Sequence, residues 1–171
     1  MSSLNLVLHV LHIVAGVVWA GGAILMGFFV SPAVMATRPE SGRFMQQLAG
    51  PGRLPVWMMI ASWITVLCGV AMFAPSMGAL DPGVMRTPRG MTLSVGALLG
   101  LGAFFEGLFV NAPSAGRIGA IGQAIAASGK GPTPEQAQQL QALQGKLARG
   151  TARGAVLLLL TVTLMAAARW M

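Results

Sequence analysis

The stretch at residues 4–30, LNLVLHVLHIVAGVVWAGGAILMGFFV, decides the fold, because it holds no Asp, Glu, Lys or Arg in 27 consecutive residues. Roughly 20 apolar residues in an α-helix are enough to cross the hydrocarbon core of a bilayer, which is about 30 Å thick. No Lys or Arg precedes the stretch, so it lacks the positively charged start of a cleaved signal peptide. The sequence therefore predicts a membrane-spanning helix that stays in the mature protein.

The composition of the whole chain agrees with this interpretation. Of the 171 residues, 55% are hydrophobic and 9% are charged, whereas a soluble domain carries roughly a quarter charged residues. Three further apolar runs lie at residues 55–75, 91–112 and 154–171. Runs of this length are helices, because lipid leaves no partner for an unpaired backbone amide. We predict an all-α fold, a polytopic four-helix bundle in which residues 1–171 form a single transmembrane domain.

The segment at residues 113–153 is predicted to be a helical hairpin between the third and fourth spans. Its first half continues the third helix up to Gly129. Thr133, Pro134 and Gln136 then provide an N-cap, a proline in the first turn and a capping-box glutamine, which together mark a helix start. The new helix runs on into the fourth span. This hairpin is either a docking surface or a rigid spacer.

Basic residues predict the orientation of the chain, because they are retained on the cytoplasmic side of a membrane. Eight of the Lys and Arg residues lie on one side of the predicted bundle and three lie on the other. We therefore expect a bacterial inner-membrane protein with both termini in the periplasm and the hairpin in the cytoplasm. The net charge of +7 is then explained by orientation and by anionic lipid of the bilayer, so no nucleic acid partner is predicted. The eight are Arg38, Arg43, Arg53, Arg117, Lys130, Lys146, Arg149 and Arg153, and the three are Arg86, Arg89 and Arg169.

Two apolar segments of the chain resemble each other. Sliding the sequence by 80 positions places residues 22–30 on residues 102–110, and a proline, Pro32 or Pro113, follows each segment. The match is either a duplicated helix pair, related by an axis along the membrane normal, or a chance similarity between apolar segments. Its identical pairs are Gly22/Gly102, Ala23/Ala103, Gly27/Gly107, Phe29/Phe109 and Val30/Val110.

Small residues recur four positions apart in the spans, which brings them onto one face of a helix. In lipid, helices associate through close backbone packing at such faces. We therefore expect tight helix contacts there. The pattern occurs at Gly16 and Ala20, at Ala61, Thr65 and Gly69, at Gly96 and Gly100, and at Ala103 and Gly107.

His9 and His12 lie three positions apart, and so they share one face of the first helix near its outer end. Cys68, Met72 and Met165 fall at the same predicted depth on other spans. Imidazole, thiolate and thioether groups bind Cu(I), and His or His/Met pairs hold haem iron. The sequence thus predicts a metal site from His9, His12, Cys68 and Met72, or a haem site from the histidines with Met165. The alternative is a structural role in interfacial hydrogen bonding and core packing.

Because the chain has two histidines, both on one helix, a haem bridged by histidines from two helices of one subunit is excluded. Haem binding would use a methionine, a partner chain or an open coordination position as the second site.

Glu106 is an acid within the third apolar run. An ionisable group in a span is a functional candidate by default. Glu106 either relays protons, as in a proton-coupled transporter, or pairs with Arg149 or Arg153 reaching in from the start of the fourth span.

The segments LHIVAGVVWAGGAILMGFFVSPAV at residues 11–34 and RGAVLLLLTVTLMAAARWM at residues 153–171 resemble the first and last spans of CopD-like membrane proteins, which are associated with copper resistance. The resemblance implies an inner-membrane helical bundle that handles copper or haem. It carries His9, His12 and Trp19 over as motif positions.

Three functions are compatible with these patterns. The first is an integral inner-membrane protein that binds copper or b-type haem near the periplasmic face, in metal handling or redox. The second is a non-catalytic structural or assembly subunit of a larger membrane complex, or a homo-oligomer. The third is a proton-coupled transporter that uses Glu106. An enzyme has least support, because the sequence holds no nucleophile elbow, phosphate-binding glycine loop or closely spaced pair of carboxylates.

Overall fold

A computed structural model describes residues 3–37, 41–50, 52–78 and 80–171 of the chain. Within these ranges the secondary structure is helical and contains no strand, which confirms the predicted all-α class. A π-turn interrupts α1 at Met26–Val30 and α5 at Gly107–Asn111, and α6 ends in a 3-10 turn. The helices are α1 (Ser3–Ala36), α2 (Ser41–Ala49), α3 (Leu54–Ser76), α4 (Pro82–Met85), α5 (Pro88–Ser128) and α6 (Pro134–Trp170).

Four of these helices, α1, α3, α5 and α6, are long and apolar enough to cross a membrane. Each contains one of the four predicted spans, so the chain has the length and composition of a multi-pass membrane protein. Two of the basic residues used to predict its orientation are not placed: Arg38 lies outside the described residues, as does the side chain of Arg43.

The helical hairpin between the third and fourth spans is present as the capping pattern predicts. α5 continues to Ser128 and stops at Gly129, whose φ of 63° is left-handed. At the start of α6, Thr133 Oγ1 accepts a hydrogen bond from Gln136 N at 3.3 Å, and Thr133 N donates to Gln136 Oε1 at 3.0 Å. At 41 and 37 residues, α5 and α6 extend about 60 and 55 Å, well beyond the hydrocarbon thickness.

Helices α1 and α3 pack antiparallel. His12 of α1 contacts Thr65 and Gly69 of α3, whereas Gly22, later in α1, faces Met58, earlier in α3. A Cβ at Gly69 would lie 3.0 Å from His12 Cε1. The small residues predicted on this face of α3 therefore do make room for α1.

Helices α5 and α6 also pack antiparallel. Gly96 faces Leu164, Gly100 faces Thr161, and both glycines are buried. This confirms the predicted contact face at these two glycines. The predicted close contact is not made at Gly107, which has no neighbouring atom within 4 Å of where a Cβ would stand.

Three aromatic rings join the two helix pairs. Phe104 of α5 packs edge to face against Trp19 of α1 at 6.4 Å and against Trp63 of α3 at 4.9 Å, measured between ring centroids. Trp19 and Phe104 are buried in a core with Ala20, Ala61, Ala103 and Leu158, so that all four long helices contribute to it. Edge-to-face geometry is favourable because the positive ring edge meets the negative ring face. Phe104 thus contributes to the contact between the two pairs, beside the packing of Gly27 of α1 against Ala155 of α6.

Each π-turn precedes a proline within the same continuous helix. In an α-helix a proline ring clashes with the carbonyl four residues earlier, and widening the turn relieves that clash. Ser31 N donates to Met26 O, and Ala112 N donates to Gly107 O, five residues back in both cases. The two turns fall in the segments that match at an offset of 80 positions. The duplication itself stays a prediction.

Candidate functional site

His12 is held at the contact between α1 and α3. Its Nδ1 lies 2.7 Å from the backbone oxygen of Thr65. A carbonyl oxygen can only accept, so Nδ1 carries the hydrogen, and in the neutral ring Nε2 has the lone pair. The ring is half-buried and rests where Gly69 has no side chain. The residues fix both the orientation and the tautomer of this imidazole.

His9 has the same tautomer but a different setting. Its Nδ1 lies 2.7 Å from the backbone oxygen of Asn5, one turn earlier in α1, and the residue is exposed. Nε2 of His9 is therefore also left with its lone pair. The predicted histidine pair consists of one ring in a helix contact and one ring on the outer surface of α1.

The sulfur-containing candidates divide between the two helix pairs. Cys68 is a free, buried thiol in the turn of α3 that also contains Thr65 and Gly69. Met72 lies one turn further along α3 and is half-buried. Met165 packs in the other pair, with its Cε 3.4 Å from where a Cβ of Gly96 would stand. The structure thus brings His12 to the helix of Cys68 and Met72, whereas Met165 packs against α5.

The donor atoms decide which groups fit this site. Among the described residues, no group of three or more His, Cys, Asp or Glu side chains is close enough to hold a metal ion. A closed zinc-type site of four such ligands therefore does not fit them. An imidazole together with a thiol and a thioether would fit Cu(I), and a single imidazole whose Nε2 is unprotonated would fit haem iron.

A second polar cluster lies between α5 and α6. Arg153 donates to Glu106 Oε1 from both Nη2, at 2.6 Å, and Nε, at 3.1 Å. The Glu106 side chain is 18% exposed and that of Arg153 is 59% exposed. Of the two predicted arginine partners, Arg153 is the one that pairs with Glu106. Arg149 instead places Nη1 3.6 Å from the Cβ position of Gly145 on its own helix.

Asn111 is a member of this cluster that the sequence analysis missed. Its Oδ1 is buried and has no hydrogen-bond partner in the described part of the chain. The same oxygen contacts Gly150 of α6, and Glu106 Oε1 lies 3.1 Å from the Cβ position of that glycine. The sequence feature that could have indicated Asn111 is a side-chain amide five positions after Glu106, at the end of an apolar run.

No protein-family model, curated protein or solved structure matches the chain. The similarity of its first and last spans to CopD-like proteins therefore stays a prediction. Of the motif positions that this similarity implies, Trp19 packs in the core against Phe104, and His9 and His12 are placed as described above.

Proposed function

We propose that this protein binds copper or b-type haem in a bacterial inner membrane, with Nε2 of His12 as the principal ligand. The observation that carries the proposal is the 2.7 Å contact between His12 Nδ1 and Thr65 O. Histidines that bind metals usually donate their other ring N–H to a carbonyl or carboxylate, which orients the ring and makes the ligating nitrogen more basic.

The location of His12 gives the proposal further support. A half-buried imidazole inside an apolar helix pair is costly in lipid, and such residues are functional candidates. Gly69 and the Thr65 carbonyl accommodate the ring at a helix contact that needs no polar group for packing. Exposed His9, one turn earlier, presents a second Nε2.

Copper and haem would use different neighbours of His12. Cu(I) would draw on Cys68 and Met72, because soft sulfur ligands select it. A b-type haem would be held by His12 together with Met165 or with a histidine of a second copy of the chain. Either group supplies one-electron redox chemistry when bound, whereas the protein residues bind it and restrict its access to water.

The proposed site faces the periplasm. The placed basic residues Arg53, Arg117, Arg149 and Arg153 belong to the end of the helices opposite to His9, and the positive-inside rule assigns that end to the cytoplasm. Both termini are then periplasmic and the hairpin is cytoplasmic. Thiol labelling tests this orientation. A single cysteine is introduced at Ser3 or at Ser128 of a Cys68→Ser chain, and intact spheroplasts are treated with a membrane-impermeant thiol reagent. The reagent should label position 3 and leave position 128 unlabelled.

The binding experiment uses the full chain purified in detergent. We would record its visible spectrum and bound metals as isolated, and again after addition of Cu(I) or of haem. His12→Ala should lower the affinity at least tenfold, because it removes the oriented ligand. His9→Ala should have a smaller effect. Cys68→Ser and Met72→Leu should weaken copper alone, and Met165→Leu should weaken haem alone.

A protein that is isolated without colour or metal and takes up neither group would contradict the proposal. That result would favour the second candidate, a structural subunit of a larger membrane complex. One observation supports this candidate: α5 and α6, at 41 and 37 residues, are longer than a hydrocarbon core requires, and the additional length suits docking to another protein. Chains that co-purify with the wild type and are lost on deletion of residues 118–146 would identify such a complex.

A further inference from the structure

The π-turn of α5 brings Glu106 and Asn111 onto one face of the helix. In a regular α-helix, residues five positions apart point roughly 140° away from each other. Here the turn at Gly107–Asn111 is closed by bonds to carbonyls five residues back, as from Ala112 N to Gly107 O, which brings residues five positions apart closer to one face. Both side chains consequently reach the same point on α6, Gly150.

The two side chains have complementary hydrogen-bonding needs. Asn111 Oδ1 is a buried acceptor with no donor in the part of the chain that the structure describes, and leaving such a group unpaired is unfavourable because it has lost its hydrogen bonds to water. Glu106 is an acceptor too while it is ionised, and Arg153 then donates to its Oε1. A protonated Glu106 would be a donor. Its hydroxyl group is the missing partner for Asn111.

We propose that Glu106 and Asn111 form a proton-binding site in the middle of α5, where the third apolar span leads into the hairpin. The Glu106 carboxylate takes one proton from water, becomes neutral, and donates its O–H to Asn111 Oδ1. Arg153, whose side chain is already 59% exposed, then turns to solvent and lipid headgroups. Release of the proton restores the carboxylate and its ion pair. Both states leave Glu106 with a hydrogen-bond partner.

The charges around the site select a proton over a metal cation. Glu106 supplies the carboxylate, and the ionisable groups nearest to it on α6 are the cations Arg153 and, one turn earlier, Arg149. α5 adds the cation Arg117 beyond Asn111. On α1 the neighbour of Arg153 is the apolar Phe28, and α3 has no ionisable residue apart from Cys68. The neighbouring arginines would repel a bound metal cation. A proton instead neutralises Glu106 and releases Arg153.

This site is independent of the proposed function. It lies in the other helix pair and at the other end of the helices from His12, so failure to bind copper or haem leaves it unaffected.

Infrared difference spectroscopy on the full-length protein in nanodiscs tests the proposal. On acidification, a protonated carboxyl group gives a C=O stretching band that is absent in Glu106→Gln. In Asn111→Leu, which has a similar volume but no acceptor, we expect this band at higher wavenumber, because the O–H has lost its hydrogen-bond partner. Asn111→Ala provides the same comparison with a smaller side chain if the Leu variant does not fold.

Two variants serve as matched controls. Ser31→Ala changes the polar residue that follows the π-turn of α1, and Glu135→Gln removes an exposed acid, so both should keep the Glu106 band in its wild-type position. The proposal is overturned if no band depends on Glu106 at any pH at which the protein stays folded. It is equally overturned if the band in the Asn111 variants stays where it is in the wild type.

Discussion

The two helix pairs of this protein accommodate polar side chains in opposite ways. In the α1–α3 pair, an imidazole donates to a backbone carbonyl near the end that holds the chain termini. In the α5–α6 pair, a carboxylate meets a guanidinium where the apolar spans lead into the hairpin. Both pairs are antiparallel and both use glycines to bring the helices close.

The difference shows what each kind of polar group requires in a largely apolar setting. A neutral ring needs only one acceptor and the space that Gly69 leaves, so regular helices are sufficient for His12. An ionised Glu106 needs an opposite charge, and the exposed Arg153 provides it while keeping its own contact with water. In the second pair a π-turn also changes the local geometry, and it brings Asn111 into the cluster.

The largest expected effect comes from breaking the contact between the two pairs. Phe104→Ala removes the ring that packs on Trp19 and Trp63. We expect a loss of about 3 kcal/mol in unfolding free energy, at the low end for such truncations because lipid imposes little hydrophobic penalty on the exposed surface. Unfolding of the wild type and the variant in mixed micelles measures this loss of unfolding free energy. Phe109→Ala, at a ring that is 67% exposed, is the matched control and should change little.

The next effect tests the charged contact of the α5–α6 pair. Arg153→Gln should lower the unfolding free energy by about 1 kcal/mol, because it leaves the mostly buried Glu106 without its cation, while solvent already weakens the pair on the arginine side. A double-mutant cycle with Glu106→Gln should return a coupling energy of similar size. Arg117→Gln, at an exposed arginine of the same helix pair, should show no coupling with Glu106→Gln.

The smallest effect concerns the neutral contact of the α1–α3 pair. His12→Ala should lower the unfolding free energy by slightly less than about 1 kcal/mol, since it removes one hydrogen bond between helices. His9→Ala removes a bond within its own turn and should be nearly neutral. Thermal unfolding without added metal or haem measures both. Equal losses of stability in the two variants would mean that the contact of His12 with Thr65 contributes no more than the contact of His9 within its own turn.

Much of the fold could be predicted from the sequence. A run of 27 residues without charge has one stable conformation in lipid, and the capping residues around Thr133 fix where α6 begins. The π-turns were not predicted. Pro32 and Pro113 mark their positions, but a helix can also respond to a proline by kinking or ending, and the packing against α6 decides among these.

The candidate sites were predictable only in part. Periodicity places His9 and His12 on one face, yet the Thr65 carbonyl that binds His12 has no sequence signal, because every residue carries a carbonyl. Arg149 and Arg153 lie one turn apart, and only the packing of α5 on α6 distinguishes them. Asn111 was missed because its link to Glu106 depends on a spacing of five residues that a regular helix does not use.

The most direct test of the proposed site is nitrogen-15 NMR of the protein labelled at its two histidines, with His9→Gln to assign the signals. We predict that His12 has its hydrogen on Nδ1, and that the signal of its Nε2 shifts or broadens when copper or haem is added. A His12 ring with its hydrogen on Nε2, or ring signals that stay unchanged at saturating copper and haem, would contradict the proposed site.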